Sequence, residues 1–451
     1  MQSWADLYIP TLDSQHSFPV LNLFNTSAQE VQPVVSKNHY RMYVCGITPY
    51  DATHLGHAAT YLTFDLINRY LRATGATVDF AQNITDIDDP LLERATRDGV
   101  DWRTLAQSQI DLFRGDMVDL HIIPPRNYIG VVEAMPLVVD SIKKLEATGT
   151  TYAVDKDIYF KVRSDSEFGV RSHLTEEEML HIFAERGGDP QRIGKLDPLD
   201  ALLWLSHRDG EPGWPSPFGE GRPGWHIECC AIALHYLEPN PSDDYAIDIQ
   251  GGGSDLIFPH HEMSAAQCAL ISGQKFARSY VHAGMIGLDG EKMSKSLGNL
   301  VFVSKLIQQG VNPMAIRWAL LSSHYRSDRM WTDSILSAGV QSIDALSLSL
   351  SKNEVAPTAP VIQKIIEALS CDLDTPKALA AISEWVTQTE SGVTGGMQGN
   401  FHEQLIPCSA SQFSFQIDDV KISLALERWI HLLLQVALMN LCSLQVPSHT
   451  L

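Results

Sequence analysis

A strand, a glycine-containing turn, a helix and a second strand follow one another between residues 40 and 83, and this succession constrains the fold most. Tyr40–Val44 alternates in polarity, which is typical of a strand. From His57 to about Ala73 the apolar residues recur at helical spacing, and Gly75 ends the run. Thr77–Asn83 is predicted to be the next strand. Because a strand–helix–strand unit joins parallel strands, the sequence predicts an α/β fold with a doubly wound, Rossmann-type sheet.

The sheet is predicted to resume late in the chain. Tyr245–Gln250 is predicted as a strand that meets three glycines, and Tyr280–Ile286 as another that ends at Gly287. Between the two halves lie helical segments, a short strand pair near Tyr152–Val162 and a break at Gly187–Pro190, which indicate an inserted domain. We therefore predict five segments, namely a lead-in (1–38), the first half of the Rossmann fold (39–118), the inserted domain (119–196), the second half (197–300) and a helical C-terminal region (301–451).

The region after Gly298 is predicted to be helical. The predicted helices are Val303–Gln309, Pro313–Ser323, Thr332–Leu350, Pro360–Leu369 and a strongly apolar closing helix at Ile422–Leu441. A stretch rich in Gly, Ser and Thr, Gln388–Asn400, is predicted to be a flexible loop.

Composition narrows the functional class. The net charge of -21 over 451 residues argues against broad adhesion to nucleic acid, because polyphosphate would be repelled. The seven cysteines are odd in number and irregularly spaced, which favours a reducing compartment over a disulfide framework. The N-terminal residues do not resemble a signal peptide, and the apolar run Ile430–Met439 is too short to span a bilayer. We expect a cytoplasmic protein without membrane association.

Two motifs predict that the chain binds ATP. In T-H-L-G-H, Gly56 lets the backbone approach a ligand, while His54 and His57 lie at the predicted start of a helix, where an anion is favoured. The later K-M-S-K-S motif adds Lys292 and Lys295, which could stabilise a leaving pyrophosphate. The alternative is two surface histidines and a solvated lysine loop. The order of both motifs within a split nucleotide fold favours catalysis.

Three residues are candidates for a zinc site with an open position, namely Cys45, Cys229 and His260. Thiolate and imidazole are the ligands that zinc prefers, and three protein ligands leave a fourth place for a substrate. The alternative is that the two cysteines are small buried hydrophobes and that the histidine is a satisfied core residue.

The neighbouring polar residues are assigned supporting or structural roles. Cys230 is expected to point away from the metal, and His261 and Glu262 are expected to support the site rather than bind the ion. Core packing is expected for the other cysteines, Cys268, Cys371, Cys408 and Cys442. The acidic run Asp86, Asp88 and Asp89 is most simply a solvated or helix-capping turn.

Together these blocks resemble the cysteinyl branch of the class I aminoacyl-tRNA synthetases. The resemblance covers roughly residues 40 to 340 and includes the block from Cys45 to His57, N-I-T-D-I-D-D, G-W-H-I-E-C, G-G-G-S-D-L-I-F-P-H-H-E and K-M-S-K-S-L-G-N. In that family a zinc ion binds the thiolate of the substrate cysteine, and serine is thereby excluded.

Four departures point to a paralogous family. The synthetases have a zinc-binding glutamate where this chain has Ser264, an arginine at Ala59, a histidine at Gln250 and a lysine at Pro90. These features, together with E-R-G-G-D-P at 185–190, are similar to the cysteine ligases of mycothiol biosynthesis, which join cysteine to the amine of glucosaminyl-inositol. The rival hypotheses are a true cysteinyl-tRNA synthetase and a catalytically silent paralogue that senses thiols.

The resemblance implies a set of substrates and site residues. It implies one zinc per chain, ATP as a substrate with Mg, and L-cysteine and glucosaminyl-inositol as the other substrates, with no obligate protein partner. The adenylate pocket would use Cys45, Gly46, Ile47, Thr48, Thr60, Asn83, Ile84, Thr85, Trp225, Gly253, Ser254, Asp255 and Ile286, and His54, His57, Lys292 and Lys295 would stabilise the activation transition state.

The C-terminal region argues weakly against tRNA as a partner. From Gly339 onward 5 Lys and Arg stand against 11 Asp and Glu, for a net charge of 5 - 11 = -6. A domain that binds a tRNA arm is expected to be basic on one face. We therefore do not expect tRNA to be the acceptor.

Overall fold

The computed structural model describes residues 1–7, 9, 16–51, 53–288, 290–293 and 299–397. The helix predicted at Ile422–Leu441 lies outside the described residues. Within them, no helix combines the length and the apolar composition that crossing a membrane requires.

The described residues contain strands that form five separate sheets. The strands are β1 (Asn22–Asn25), β2 (Glu30–Pro33), β3 (His39–Val44), β4 (Thr77–Ile84), β5 (Asn127–Gly130), β6 (Thr151–Val154), β7 (Asp157–Phe160), β8 (Ala201–Ser206), β9 (Gly221–Pro223), β10 (Tyr245–Gly253), β11 (Lys275–Ala283), β12 (Ile286–Leu288), β13 (Glu291–Lys292), β14 (Arg329–Trp331), β15 (Glu354–Val355) and β16 (Gly396–Met397).

The α-helices lie between and after these strands. They are α1 (Leu55–Ala73), α2 (Asp89–Asp98), α3 (Trp102–Asp119), α4 (Val131–Ala147), α5 (Glu176–Glu185), α6 (Trp225–Tyr236), α7 (Glu262–Ser272), α8 (Val303–Gln308), α9 (Pro313–Leu321), α10 (Asp333–Leu350), α11 (Ala359–Ser370) and α12 (Thr375–Glu390). The four helices predicted between residues 303 and 369 are confirmed as α8 to α11. The loop predicted from Gln388 begins inside α12.

The central sheet is parallel, as predicted, and its strand order is β11-β10-β3-β4-β5. The chain builds outward from β3 in one direction and from β10 in the other, so the order reverses between these two strands. In such sheets ligands bind in the crevice beyond the carboxyl ends of the strands at the point of reversal. This crevice lies beyond Val44 and Gly253, where β3 and β10 end.

The last strand of the central sheet is shorter than predicted at its C-terminal end. Strand β11 ends at Ala283, and residues from Ile286 form β12, which pairs with β13 and β14 instead. The backbone N–H of Gly284 donates to the carbonyl of Tyr325, and a Cβ at Gly284 would lie 2.6 Å from the backbone of Ser327. The chain leaves the sheet here because this glycine permits a close approach to the helical region.

The inserted unit contains an antiparallel sheet with the order β6-β7-β8-β9. Strands β8 and β9 lie beyond residue 196, the predicted end of the insertion, while β5, which follows residue 119, belongs to the central sheet. We therefore propose that the insertion runs from about residue 151 to residue 223. Strand β9 is hard to predict from sequence, because it has only three residues within a Gly- and Pro-rich stretch.

Helix α1 is held under the crevice by a buried ionic network. Asp65 accepts from Arg69 Nε at 2.8 Å, from Arg317 Nη2 at 3.1 Å and from the backbone N–H of Ile123 at 3.0 Å. The Asp65 and Arg317 side chains are completely buried. Although burial disfavours the charged carboxylate, the two arginines lower the pKa of Asp65. The network thus fixes α1, which carries His54 at its start, against α9.

Candidate metal centre and adenylate site

The turn after β3 is fixed by a contact that only glycine permits. The Gly46 N–H donates to Asn83 Oδ1 at 2.8 Å, and the Cys45 N–H donates to the carbonyl of Gly251 at 3.0 Å. A Cβ at Gly46 would lie only 1.6 Å from the Asn83 carbonyl oxygen. The turn therefore packs directly on the end of β4 and places the Cys45 side chain at the point where the strand order reverses.

The three candidate metal ligands are brought together from three distant segments. Cys45 follows β3, Cys229 lies in the second turn of α6, and His260 lies in the segment between β10 and α7. Their ligand atoms all lie within 4.8 Å of one another, with Cys45 Sγ 3.9 Å from Cys229 Sγ and His260 Nε2 3.2 Å from Cys229 Sγ. All three residues are buried. Cys229 thus lies inside a helix, whereas the other two residues lie in segments that follow strands.

These separations fit a tetrahedral zinc ion. Bonds of about 2.3 Å to sulfur and about 2.0 Å to nitrogen place two sulfur ligands about 3.8 Å apart and a sulfur and a nitrogen about 3.5 Å apart. Burial raises the pKa of the Cys229 thiol, and the neighbouring Cys45 adds to this effect. A bound cation would favour the thiolate instead, because it supplies the charge that the buried site lacks.

Residues of helix α6 fix the position of the His260 ring. Trp225 and Cys229 are separated by four positions, which places them on the same side of a helix. The Trp225 ring stacks on the His260 ring at 4.4 Å, and His226 Nδ1 lies 3.2 Å from His260 Nδ1. His260 Nε2 is thereby directed at Cys229. Cys230 is one position further around the helix and contacts Cys268 instead, as the expected structural role requires.

A chain of polar contacts supports Cys45 from the other side. Cys45 Sγ lies 3.2 Å from His261 Nε2, His261 Nδ1 lies 2.7 Å from His282 Nε2, and His282 Nδ1 lies 2.8 Å from Thr26 Oγ1. Gln250 Nε2 lies 3.4 Å from the same sulfur. His261 thus supports the site as expected. The roles of His282 and Thr26 were missed, although His282 stands at the carboxyl end of a parallel strand, where site residues gather.

Two residues near the metal centre bond elsewhere. Ser264 Oγ donates to the backbone carbonyl of His226 at 3.0 Å, so it is engaged away from the ligand atoms. Glu262, expected to support the site, instead accepts from Arg171 Nη1 at 2.9 Å and from the N–H of Ser172 at 2.8 Å. Glu262 therefore joins α7 to the inserted unit rather than supporting the metal ligands.

The two signature histidines lie at the start of α1, as predicted. His54 is the N-cap residue, its Nδ1 accepting from the Gly56 N–H at 3.1 Å, and its ring stacks on that of His57 at 3.8 Å. Part of the His57 ring is exposed, but its Nδ1 is buried. Burial, and then the neighbouring His54, lower the pKa of His57 well below its usual value. His57 is therefore neutral at physiological pH and can donate one hydrogen bond to an anion.

The other predicted binding residues surround the same crevice. The described ones lie after β3 (Gly46, Ile47, Thr48), on α1 (Thr60), at the end of β4 (Asn83, Ile84, Thr85), at the start of α6 (Trp225), at and after the end of β10 (Gly253, Ser254, Asp255) and on β12 (Ile286). The side chains of Ile47, Ile84 and Ile286 are buried in the core. Lys295 lies outside the described residues, and of Lys292 only the backbone is described, in β13.

Acidic side chains behind the metal centre are held in a low-dielectric setting. Burial raises the pKa of Glu228 well above its usual value, and Asp88 adds to this effect. Thr85 Oγ1 donates to Glu228 at 3.4 Å. Asp86 accepts from the N–H of Val132 at 2.9 Å, and Asp88 caps α2, so the expected capping roles are found for both.

Cys371, in contrast, is exposed rather than packed in the core.

Comparison with known proteins begins with a family model. Residues 31–341 match the model described as the tRNA synthetases class I (C) catalytic domain. This range contains all three candidate metal ligands and both signature motifs.

Curated relatives are similar over most of the chain. An L-cysteine:1D-myo-inositol 2-amino-2-deoxy-alpha-D-glucopyranoside ligase of Nocardia farcinica is 56% identical over 394 residues, which cover 86% of this chain and 93% of the relative. The ligase of the same name from Gordonia bronchialis is 54% identical over 398 residues, which cover 87% of this chain and 94% of that relative.

Among solved structures, the fold is similar to that of a Mycobacterium tuberculosis methionyl-tRNA synthetase in complex with methionyl-adenylate. The TM-score is 0.60 at 15% identity, with 89% of this chain and 92% of that chain covered. At this identity the likeness concerns the fold alone. The expected class I synthetase-like architecture is confirmed.

Proposed function

The chain belongs to the class I (C) tRNA synthetase catalytic-domain family and, within it, to the L-cysteine:1D-myo-inositol 2-amino-2-deoxy-alpha-D-glucopyranoside ligases, and from this premise we propose that it is an ATP-dependent ligase. In this proposal the enzyme activates L-cysteine as cysteinyl-adenylate and transfers the cysteinyl group to the amine of glucosaminyl-inositol. The products of the two steps are pyrophosphate, AMP and an amide.

The cluster of Cys45, Cys229 and His260 carries the proposal. It stands where the strand order reverses, beside the glycine turns at which a class I fold binds its adenylate. Its two sulfurs and one nitrogen suit zinc and leave one tetrahedral position for a further ligand. When bound, zinc would supply a Lewis-acidic centre that recognises a thiolate. Ser264, where cysteinyl-tRNA synthetases have a glutamate ligand, bonds to a backbone carbonyl, which favours three protein ligands.

In the first step the carboxylate of cysteine attacks the α-phosphate of ATP, and pyrophosphate leaves. His54 and His57 at the start of α1 would donate hydrogen bonds to the phosphates as negative charge moves onto the leaving group. The dipole of α1 favours an anion at the same place. Lys292 and Lys295 are proposed to act on the same leaving group, with Mg bound to the nucleotide.

In the second step the acceptor amine attacks the carbonyl carbon of the cysteinyl-adenylate. A carbon–nitrogen bond forms, the bond from that carbon to the phosphate oxygen breaks, and AMP leaves with the electron pair. Trp225 is proposed to line the part of the pocket that binds the cysteine, since its ring packs on the ring of His260. Thr48 and Asp255 are proposed to lie beside the adenylate.

The test supplies purified protein with ATP and cysteine, together with either glucosaminyl-inositol or total tRNA, and follows AMP release above the background without acceptor. We expect release with the sugar, amide formation by mass spectrometry, and no charging of tRNA. Robust charging of tRNA without acylation of the sugar would establish a cysteinyl-tRNA synthetase instead. Absence of cysteine-dependent pyrophosphate exchange into ATP would favour a catalytically silent paralogue.

A further inference from the structure

A cleft of about 750 Å³ separates the central sheet from the inserted antiparallel sheet. Its inner end is lined by Thr48, Trp225 and Asp255, which are residues of the proposed adenylate pocket. Its outer part is lined by residues of the inserted unit, including Tyr159, for which no contact with the adenylate is proposed. Small-molecule sites have volumes of about 300–1,000 Å³, so the cleft can hold a further small substrate beside the adenylate.

Both walls of the cleft carry charged side chains, and the inserted unit contributes Glu185 and Asp189 as well as arginines. The first turns of α2 contribute carboxylates, Asp88 and Asp89 among them, while the inserted unit contributes guanidinium groups, including those of Arg192 and Arg222. Arg192 is bound by Asp157 at 2.5 Å and by the Tyr159 hydroxyl at 2.9 Å, and Arg222 is paired with Asp89. The guanidinium groups of Arg192 and Arg222 are therefore occupied by protein partners, and a cationic group of a ligand would be favoured at the wall formed by the carboxylates of α2.

On this wall, Asp88 has a side chain whose orientation is fixed and which still has one carboxylate oxygen to bind a ligand. Its Oδ1 accepts from the Asp89 N–H at 2.8 Å, which fixes the side chain as the N-cap of α2. For its other oxygen, the described part of the chain supplies no hydrogen-bond partner. Burial raises the pKa of Asp88 to about 6, and the charge of Asp89 adds to this effect, while Arg222 and His260 oppose it.

A histidine adds a polar ring nitrogen to the lining of the cleft. His226 lines the cleft although it is 7% exposed, and its Nδ1 is engaged with His260. Its Nε2 has no hydrogen-bond partner among the described residues. Because this nitrogen is not among the fully buried atoms without a partner, it can bond to water or to a ligand in the cleft.

We propose that this cleft is the acceptor subsite and that Asp88 binds the acceptor amine and removes its proton. The inference rests on the proposed function, because it assigns the site of the second substrate of that reaction. The acceptor enters as an ammonium ion. Asp88 takes one proton to give the free amine, which then attacks the adenylate carbonyl, and the second proton leaves the nitrogen for solvent as AMP departs. Charge and atoms balance without a further reactant.

The test uses Asp88→Asn, because asparagine caps a helix as well as aspartate does but carries no charge. We expect the ratio of amide formation to cysteine-dependent pyrophosphate exchange to fall about 100-fold, the usual scale for loss of a general base. The matched control is Asp101→Asn, since Asp101 caps α3 by accepting from the Thr104 N–H and does not line the cleft. This control should keep the wild-type ratio.

A second variant tests the charge of the wall without changing the cap. Pro90 lines the cleft at the first turn of α2, and Pro90→Lys would add an ammonium group next to Asp88. We expect KM for glucosaminyl-inositol to rise at least about tenfold, while KM for cysteine and ATP stays near the wild-type value. Thermal unfolding of each variant establishes that it is folded.

Direct binding separates recognition of the amine from the rest of the sugar. Glucosyl-inositol, in which a hydroxyl replaces the amine, is the probe, and calorimetry compares it with glucosaminyl-inositol. The wild type should prefer the amine, and Asp88→Asn should lose this preference. Unchanged acceptor kinetics in both folded variants, or a preference that survives in Asp88→Asn, would overturn the inference. If the wild type itself exchanges pyrophosphate but does not acylate the sugar, the proposed function fails instead.

Discussion

The metal centre and the inserted wall of the cleft satisfy their polar groups in different ways. In the metal centre, Cys45, Cys229 and His260 are at most 5% exposed, and their sulfur and nitrogen atoms approach one another. In the inserted wall, Arg192 is bonded to Asp157 and Tyr159 and remains in part exposed. The metal centre has two sulfur atoms and one nitrogen atom without a positive charge between them. In the inserted wall, the charge of Arg192 is already neutralised by its ion pair with Asp157.

This difference suits two different ligands. Buried sulfur and nitrogen donors that converge are suited to a metal ion, which supplies the positive charge that favours the thiolates. Paired, oriented groups at the edge of an open cleft can exchange hydrogen bonds with a hydroxyl-rich ligand at little cost, because they stay satisfied without it. The comparison therefore supports the two proposals, which place activation of cysteine at the sheet edge and binding of the acceptor in the cleft.

Removing a ligand should break the metal centre completely. We expect Cys229→Ala to lose its tightly held zinc and to lower cysteine-dependent pyrophosphate exchange by more than about 1,000-fold, because loss of a ligand also removes the group that recognises the substrate thiol. Metal analysis of purified protein and the exchange assay measure the two effects.

The adjacent cysteine provides the control for this prediction. Cys230 is equally buried but contacts Cys268 rather than the ligand atoms. Cys230→Ala should therefore keep one zinc per chain. Full zinc content in Cys229→Ala would contradict the assignment of the metal centre.

The ion pair that joins α7 to the inserted unit should matter more for the stability of the protein than for metal binding. Glu262 and Arg171 form a buried pair that ties α7 to the inserted unit, and burial of Arg171 is offset by acidic neighbours that raise the pKa of its guanidinium. Glu262→Gln leaves a buried cation with less compensation, so we expect the free energy of unfolding in urea to fall by about 3 kcal/mol. Zinc content should be retained.

A surface partner of the same arginine is the matched control. Glu167 lies 3.6 Å from Arg171 but is 41% exposed, so Glu167→Gln should cost less than about 1 kcal/mol. If both variants lower the free energy of unfolding equally, burial of the Glu262 pair is not what joins the two regions.

The sequence predicted the convergence of the candidate metal ligands better than the groups that contact them. Cys45, Cys229 and His260 stand in recognisable motifs, and the rule that ligands gather at the carboxyl ends of parallel strands predicts their convergence. His282 and Thr26 stand in no such motif and meet across 256 positions, so only the packing of the β1–β2 hairpin on β11 brings them together.

The strands of the inserted sheet are hard to assign from sequence for a related reason. Strand β8 reads as a short apolar run, and whether it joins the central sheet or the inserted sheet depends on its partner, β7, rather than on its own residues. Glu262 was misassigned in the same way, because its position next to His261 says nothing of the arginine that it binds 91 positions away.

The smallest predicted effect concerns the histidine pair at the start of α1. The pKa of His57 in the folded protein is lowered, chiefly by burial, below the value of about 6.5 expected in the unfolded chain. The unfolded state therefore binds more protons below that pH, so stability is complete above about pH 6.5 and is lost as the pH falls. One such group contributes at most about 1.4 kcal/mol per pH unit, and less here because the ring is partly exposed.

Urea unfolding at pH 7.0 and 5.5 should show a smaller loss of stability in His57→Gln than in the wild type. His181→Gln, at a histidine whose side chain is 72% exposed, should behave like the wild type. Equal acid sensitivity in all three proteins would mean that the neutral state of His57 does not contribute to folding.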